Sequence, residues 1–302
     1  MRALVTGATG FVGQRLLGKL TKPVVLSRDP GKAEKSLAKF GVKAYAWEPQ
    51  EKPAPAEAFD GIDAIFHLAG DPVAEGRWTA AKKERIRASR ELGTRNLVTT
   101  LRALTHRPKV LVSASAVGIY GNRGAEELDE HSSHASDYLA EVCEVWEREA
   151  VAARELGMRV VPVRVGIVLG EKGGALGKML TPFKLGVGSP LGSGQQYMPW
   201  IHIDDLVGIL LHAAASDSLN ETLNGTAPHP ATNREFTKTL GKVLGRPTFF
   251  PPVPGFVLRT ALGEFANVLL ASQRVLPKAT LASGYHFQHA ELEMALRSIL
   301  NR

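Results

Sequence analysis

The sequence predicts an α/β protein: a doubly wound parallel sheet followed by a smaller C-terminal α/β lid. Three observations predict it. A short apolar strand, 3–5, runs through Gly7, Gly10 and Gly13 straight into an amphipathic helix. Apolar strands and helical stretches then alternate as far as Leu169, as right-handed crossovers between parallel strands require. Beyond Leu169 the alternation stops and a glycine-rich stretch, 171–194, begins.

Taken in order, the first helix is expected over 11–20 and the second strand over 23–26, ending at Ser27-Arg28-Asp29-Pro30-Gly31. A short helix over 32–39 and a third strand over 42–47 follow. Residues 48–58 are rich in Pro, Glu and Ala and read as a loop. The fourth strand, 62–68, is apolar throughout, as a strand covered on both faces must be. A long helix is expected over 80–104 and a strand over 110–113. Another helix starts near Asp137, with Leu139, Val142, Cys143, Trp146 and Ala150 recurring at three and four to form one apolar stripe. A strand over 159–165 completes the regular part. Later, Asp204 or Asp205 is placed to cap a helix. A helix over 233–244 stops at Gly245, and 285–287 reads as a short strand. The expected division is residues 1–170, with 201–230 returning to them, and a lid of 171–200 with 231–302.

Composition narrows the function. With 302 residues the chain can bury a large core. No apolar run is long enough to span a bilayer, and neither a signal peptide nor a membrane partner is expected. The single cysteine, Cys143, rules out an internal disulfide and a cysteine-rich metal site. It fits a reducing compartment, and a cytoplasmic protein is expected. The net charge of +7 favours anionic ligands. Its densest run, 82–87, reads as a solvated helix face, and no interleaved aromatics point to nucleic acid. None of the nine histidines has metal-ligand spacing, so no metal is assigned.

The glycines carry the most specific signal. Gly7 permits a tight turn out of the strand, Gly10 lets a pyrophosphate approach the backbone, and Gly13 lets the helix pack closely on the sheet. The helix N-terminus then offers N–H groups and partial positive charge to phosphates. This Rossmann-type arrangement predicts a dinucleotide against Gly7, Thr9, Gly10, Phe11 and Val12. At the end of the second strand an acidic residue would hold both ribose hydroxyls, whereas arginine welcomes a 2′-phosphate. The residues there are Ser27 and Arg28, and Asp29 begins a turn, so NADP(H) is expected. Trp47, ending the third strand, is either an adenine contact or a core residue.

Further motifs carry a resemblance. They are His67-Leu68-Ala69-Gly70, Gly93-Thr94-Arg95-Asn96, Ser113-Ala114-Ser115-Ala116-Val117-Gly118-Ile119-Tyr120-Gly121 and Trp200-Ile201-His202-Ile203-Asp204-Asp205. With the N-terminal glycines they resemble the extended short-chain dehydrogenase/reductase superfamily over nearly the whole chain. Val142-Cys143-Glu144-Val145-Trp146-Glu147, 173–180, 192–197 and 272–277 resemble its atypical branch, the NAD-dependent epimerase/dehydratase family, loosely called cell-division-inhibitor-like. That branch ends in a small uncharacterised domain. The resemblance implies cofactor contacts at Leu68, Ala69, Gly70, Arg90 and Arg164, a cleft lined by Tyr120, and a homodimer.

It also implies a tyrosine acid/base, a lysine four residues later that lowers its pKa from about 10, and a serine at the preceding strand end. Ser115 matches the serine and Tyr138 the tyrosine, but Val142 stands where the lysine belongs. A tyrosine without that cation is a poor base near neutral pH, so Tyr138 is either the acid/base or a packing aromatic. Arg90 is either a cofactor or substrate contact or an ordinary surface arginine. The expected function is an NADP(H)-dependent reductase or epimerase acting on an unidentified small molecule. The alternative is an NADP(H)-binding protein without turnover. Gln196, Tyr197 and Met198 are the expected lid residues near the cleft.

Overall fold

The computed structural model describes residues 1–171 and 173–302. The chain opens with β1 (Ala3–Thr6), α1 (Phe11–Leu17), β2 (Val24–Ser27), α2 (Pro30–Ser36), β3 (Lys43–Ala46) and β4 (Ala64–His67). It continues through α3 (Ala80–Ala103), β5 (Val110–Ala116), β6 (Glu127–Leu128), α4 (Tyr138–Val151), β7 (Arg159–Val165) and β8 (Ile167–Gly170). Next come α5 (Gly174–Lys184), β9 (Tyr197–Met198), β10 (Trp200–His202), α6 (Ile203–Ala215), β11 (Leu223–Gly225), β12 (Ala231–Thr232) and α7 (Asn233–Leu244). The C-terminal part holds α8 (Gly255–Leu262), α9 (Ala266–Leu270), β13 (Arg274–Val275), α10 (Lys278–Ala282) and α11 (Leu292–Leu300).

Seven strands form one parallel sheet in the order β11-β7-β5-β4-β1-β2-β3. The chain runs outward from β1 to β3, then returns to β4 on the other side of β1. The strand order therefore reverses between β1 and β4, and ligands of such sheets bind outside the strand ends at that point. Alternating side chains separate two cores. Val5, Phe66, Val110 and Val112 pack with Leu16 of α1 and Leu206 and Leu210 of α6. Leu4, Ile65 and Leu111 pack with Leu97 and Leu101 of α3 and Ala150 of α4. A third core joins α5, α7 and α11 through Leu176, Phe236 and Leu296.

Several expectations change. The strand expected over 110–113 extends three residues further, to Ala116. The glycine-rich stretch holds a helix, α5, with Pro182 inside it. His202, rather than either aspartate, caps α6: its Nδ1 accepts the Asp204 N–H at 3.0 Å. Residues 285–287 form no strand. They are fastened by buried Asp205, which accepts the Tyr285 hydroxyl and the Gln288 and His289 N–H groups. At α7 the cap is Thr232, one residue before Asn233, in a reciprocal box with Glu235, and Gly245 ends the helix at φ +63°. The basic run is not wholly solvated, because Lys82 is buried and its Nζ meets Asp71 at 2.6 Å. No helix among the described residues is long and apolar enough to cross a membrane.

Candidate active site: a glycine turn beside an apolar cleft

The ends of β1 and β4 are clamped together at the point of strand reversal. Thr6 Oγ1 accepts the N–H groups of Leu68 (3.1 Å) and Ala69 (3.2 Å) and bonds His67 Nδ1 at 2.8 Å, while His67 Nε2 meets Thr94 Oγ1 of α3 at 3.0 Å. Burial pushes the His67 pKa down to about 4, so the ring is neutral at neutral pH. His67 lay inside a quoted motif, but this supporting role did not show in the sequence: a buried polar chain is a property of the packed ends.

Gly7 takes φ +69°, and a Cβ there would lie 2.7 Å from the Leu68 carbonyl carbon. Gly13 has no room either, since its Cβ would fall 2.4 Å from the Gly7 oxygen. Gly10 differs. It caps α1 at φ −73°, and among the described residues the only close neighbour of a Cβ would be the Gly7 oxygen at 3.2 Å. Its outer face is therefore open, with Thr9 exposed beside it and Phe11 and Val12 at the helix head. The first N–H groups of a helix have no intrahelical partner, so this turn has the form that receives a phosphate. The Phe11 ring lies against Gly170 and Gly173, where a Cβ would fall 2.4 and 2.6 Å from it, and against Gly174, where a Cβ would first meet the Val168 oxygen at 2.4 Å. Those glycines have a packing role that sequence reading left unassigned.

At the end of β2, Ser27 Oγ bonds the Asp29 backbone and Arg28 is exposed. The Asp29 carboxylate accepts the Lys32 N–H at 2.9 Å and caps α2. Trp47 corrects one expectation: it is a core residue, 3% exposed, with its indole N–H on the Lys52 carbonyl.

Beside this turn opens a cleft of about 1460 Å³. Ala116 at the end of β5, Val117 and Gly118 after it, and Gly166 to Val168 after β7 form its floor. Tyr138, Val142 and Cys143 of α4 and Arg90 of α3 form one wall, and the 72–78 segment, α5, α8 and α9 close it. Arg90 is inside the fold rather than on an ordinary surface. Its guanidinium lies 3.1 Å from the Cβ position of Gly70, covers the Trp146 ring at 4.8 Å and donates to the Asp71 and Ile86 carbonyls. Tyr197 and Met198 line the cleft, while Gln196 is buried with its amide on the Leu191 carbonyl.

Ser115 and Arg164, expected in the catalytic and cofactor sites, are elsewhere. Ser115 has the same strand parity as Leu111, so it faces α4 and donates to Glu147 Oε1 at 2.6 Å. The next residue, Ala116, lines the cleft instead. Arg164 pairs with both Glu147 oxygens (2.9 and 3.0 Å) and donates to the Tyr120 hydroxyl and the Glu130 carbonyl. Tyr120 is fully buried in this network and gives its proton to Asn224 Oδ1, so it does not line the cleft.

Tyr138 does reach the cleft. Its hydroxyl donates to the Lys83 carbonyl at 2.6 Å, and burial pushes its pKa up to about 12, against the pull of Arg90. That shift is opposite to what a general base needs. Burial, with Glu147 adding to it, pushes the Cys143 thiol up to about 12 as well, so it is no nucleophile. Separately, His202, Asp204 and His289 bring ligand-capable atoms within 4.8 Å of one another. Two of the three already have partners, however: Asp204 pairs with Arg15 through both oxygens, and His202 Nδ1 is the α6 cap.

The strand reversal, glycine turn and cleft define an extended short-chain dehydrogenase/reductase fold. The chain belongs to the NAD dependent epimerase/dehydratase family, whose model matches residues 3–224, and residues 253–299 match a domain of unknown function, DUF1731. It is 42% identical to the chloroplastic SDR39U1 homolog, an epimerase family protein of Arabidopsis thaliana, over 99% of this chain and 87% of that one. Epimerase family protein YfhF of Bacillus subtilis is 36% identical, with 99% and 98% covered. The crystal structure of human epimerase family protein SDR39U1 (isoform 2), solved with NADPH, superposes with a TM-score of 0.87 at 36% identity and covers both chains fully.

Proposed function

We propose that the chain binds NADP(H) across the β1–α1 turn and reduces a carbonyl compound in the adjoining cleft. The observation that carries this reading is the end of β2, where the Asp29 carboxylate is committed to capping α2 and Arg28 stands exposed. The NADPH bound to the human relative supports it. The residues fit the cofactor: the Gly10 face is open where a Cβ would block a pyrophosphate, and Arg28 is free to meet a 2′-phosphate. The cofactor supplies a hydride.

The chain's own residues favour reduction over the transient oxidation that starts an epimerisation. Oxidation needs a phenolate to remove a proton, and Tyr138 is held protonated, with Val142 in place of a lysine. A neutral phenol still donates a proton to a developing alkoxide. One observation favours a second reading, binding without turnover: the Tyr138 proton is already given to the Lys83 carbonyl.

The test is a pair of fluorescence titrations, NADPH against NADH. One charged hydrogen bond to the 2′-phosphate is worth about 1.5–3 kcal/mol, so NADPH is expected to bind roughly one to two decades tighter. In Arg28→Ala that preference should vanish. Equal affinities in the parent protein would overturn the assignment.

A further inference from the structure

Resting on the cleft being the substrate site of that reading, we infer that the substrate is a lipophilic carbonyl compound with a long apolar chain rather than a nucleotide sugar. Size is the first argument. A cavity of about 1460 Å³ exceeds the roughly 300–1,000 Å³ of an ordinary ligand pocket, leaving room for a bulky substrate beside one end of a dinucleotide.

The lining is the second. Away from the sheet edge the walls include Trp78, Met179, Leu262, Phe265 and Leu270. Trp78 sits edge-on to Tyr138 at 5.5 Å and against Phe265 at 5.9 Å, and its indole N–H is satisfied by the Val73 carbonyl. An apolar chain reaching Tyr138 would therefore lie along aromatic surface.

Charge is the third. A diphosphate needs cations; of those lining this cleft, Arg90 donates to the Asp71 and Ile86 carbonyls and Arg259 Nε to Asn267 Oδ1 at 3.4 Å. Lys178 Nζ is on the Ala74 carbonyl at 2.8 Å, Arg77 is on the Thr260 carbonyl at 2.7 Å, and Lys83 is paired with Glu264. These bonds fasten the 72–78 segment and α3 to α5, α8 and the turn before α9. Binding a nucleotide sugar by Lys178, Arg77 or Lys83 would break the closure of the cleft, whereas an apolar chain leaves it intact.

The mouth is the fourth. Val187 lines the cleft and is half exposed, and its segment pairs with the one carrying Phe249 and Phe250: Val253 N–H donates to the Pro190 carbonyl and Gly192 N–H to the Val253 carbonyl. Leu185 and Phe249 are 74% and 78% exposed on these two segments. Val187, the one of these exposed side chains that lines the cleft itself, is apolar surface that an apolar ligand crosses on entry.

The probes are 2-alkanones from 2-hexanone to 2-dodecanone, with UDP-glucose as comparison, titrated calorimetrically into the full chain with and without NADPH. The dissociation constant is expected to fall three- to fourfold with each added methylene until the cavity is filled, and UDP-glucose should give no saturable heat. Phe265→Ala and Met179→Gln, two partly exposed wall positions, should each flatten the chain-length dependence while NADPH affinity stays within twofold of the parent. An affinity independent of chain length, or saturable UDP-glucose binding, with NADPH binding intact, overturns this inference alone. Failure of the parent protein to bind NADPH overturns the cofactor reading beneath it.

Discussion

Glu147→Ala is expected to destabilise the protein by about 3–5 kcal/mol, the usual cost of stripping one partner from a buried ion pair. Arg164 is 4% exposed, and Glu147 supplies both oxygens that face it. A guanidinium cannot shed its proton, so the orphaned charge stays charged in a low-dielectric interior. Ser115 loses its acceptor in the same step. The Tyr120 and Glu130 oxygens would remain on Arg164, but they carry dipoles rather than a full charge. Glu147→Gln keeps the shape and one acceptor oxygen and should cost less. Urea unfolding reads the difference: the midpoint should fall with the m-value unchanged. A loss below about 1 kcal/mol would contradict the assignment of this network to stability.

Gly7→Ala and Gly10→Ala are expected to part company. At Gly7 a Cβ meets only backbone, the Leu68 carbonyl at 2.7 Å and the Ala69 nitrogen at 2.9 Å, and φ is +69°. The turn must separate from the end of β4, at a cost of about 2–4 kcal/mol from the left-handed conformation and the overpacking together. NADPH binding should be lost with it. At Gly10, φ −73° suits alanine and the only close neighbour among the described residues is one oxygen at 3.2 Å. Stability should therefore change by less than about 1 kcal/mol, while the methyl stands where a pyrophosphate would approach. NADPH affinity should drop at least tenfold, in urea-matched samples read by fluorescence. Unchanged affinity in Gly10→Ala would move the cofactor away from this turn.

How far the sequence carried the site depended on what each signal encodes. The strand–glycine–helix start was legible because its requirements are local: Gly7 and Gly13 must lack a Cβ for reasons set within a few residues and one neighbouring strand end. The 159–165 strand and the 233–244 helix were legible from period and caps. Ser115 was misplaced because its strand was ended three residues early, so the alternation that turns it toward α4 was not followed through. Arg164 carried a readable signal that was passed over. An arginine inside an otherwise apolar strand buried on both faces must have a buried partner, and Glu147 lies in the helix that covers that face. Helix α5 was hidden by its glycines and Pro182, whose local preferences are overridden by packing of Leu176, Leu180 and Phe183 on the third core. The Tyr285–Phe287 segment has strand-like aromatics, but it is held by side-chain acceptance at Asp205, which takes the Tyr285 hydroxyl and the N–H groups of Gln288 and His289 just beyond it.

The most direct measurement is a crystal structure of the chain grown with NADPH. The account predicts the pyrophosphate over Gly10 at the head of α1, the 2′-phosphate within hydrogen-bond reach of Arg28, and the nicotinamide at the cleft floor between Ala116 and Tyr138. A 2′-phosphate turned to solvent away from Arg28, or a nicotinamide outside the cleft, would contradict it.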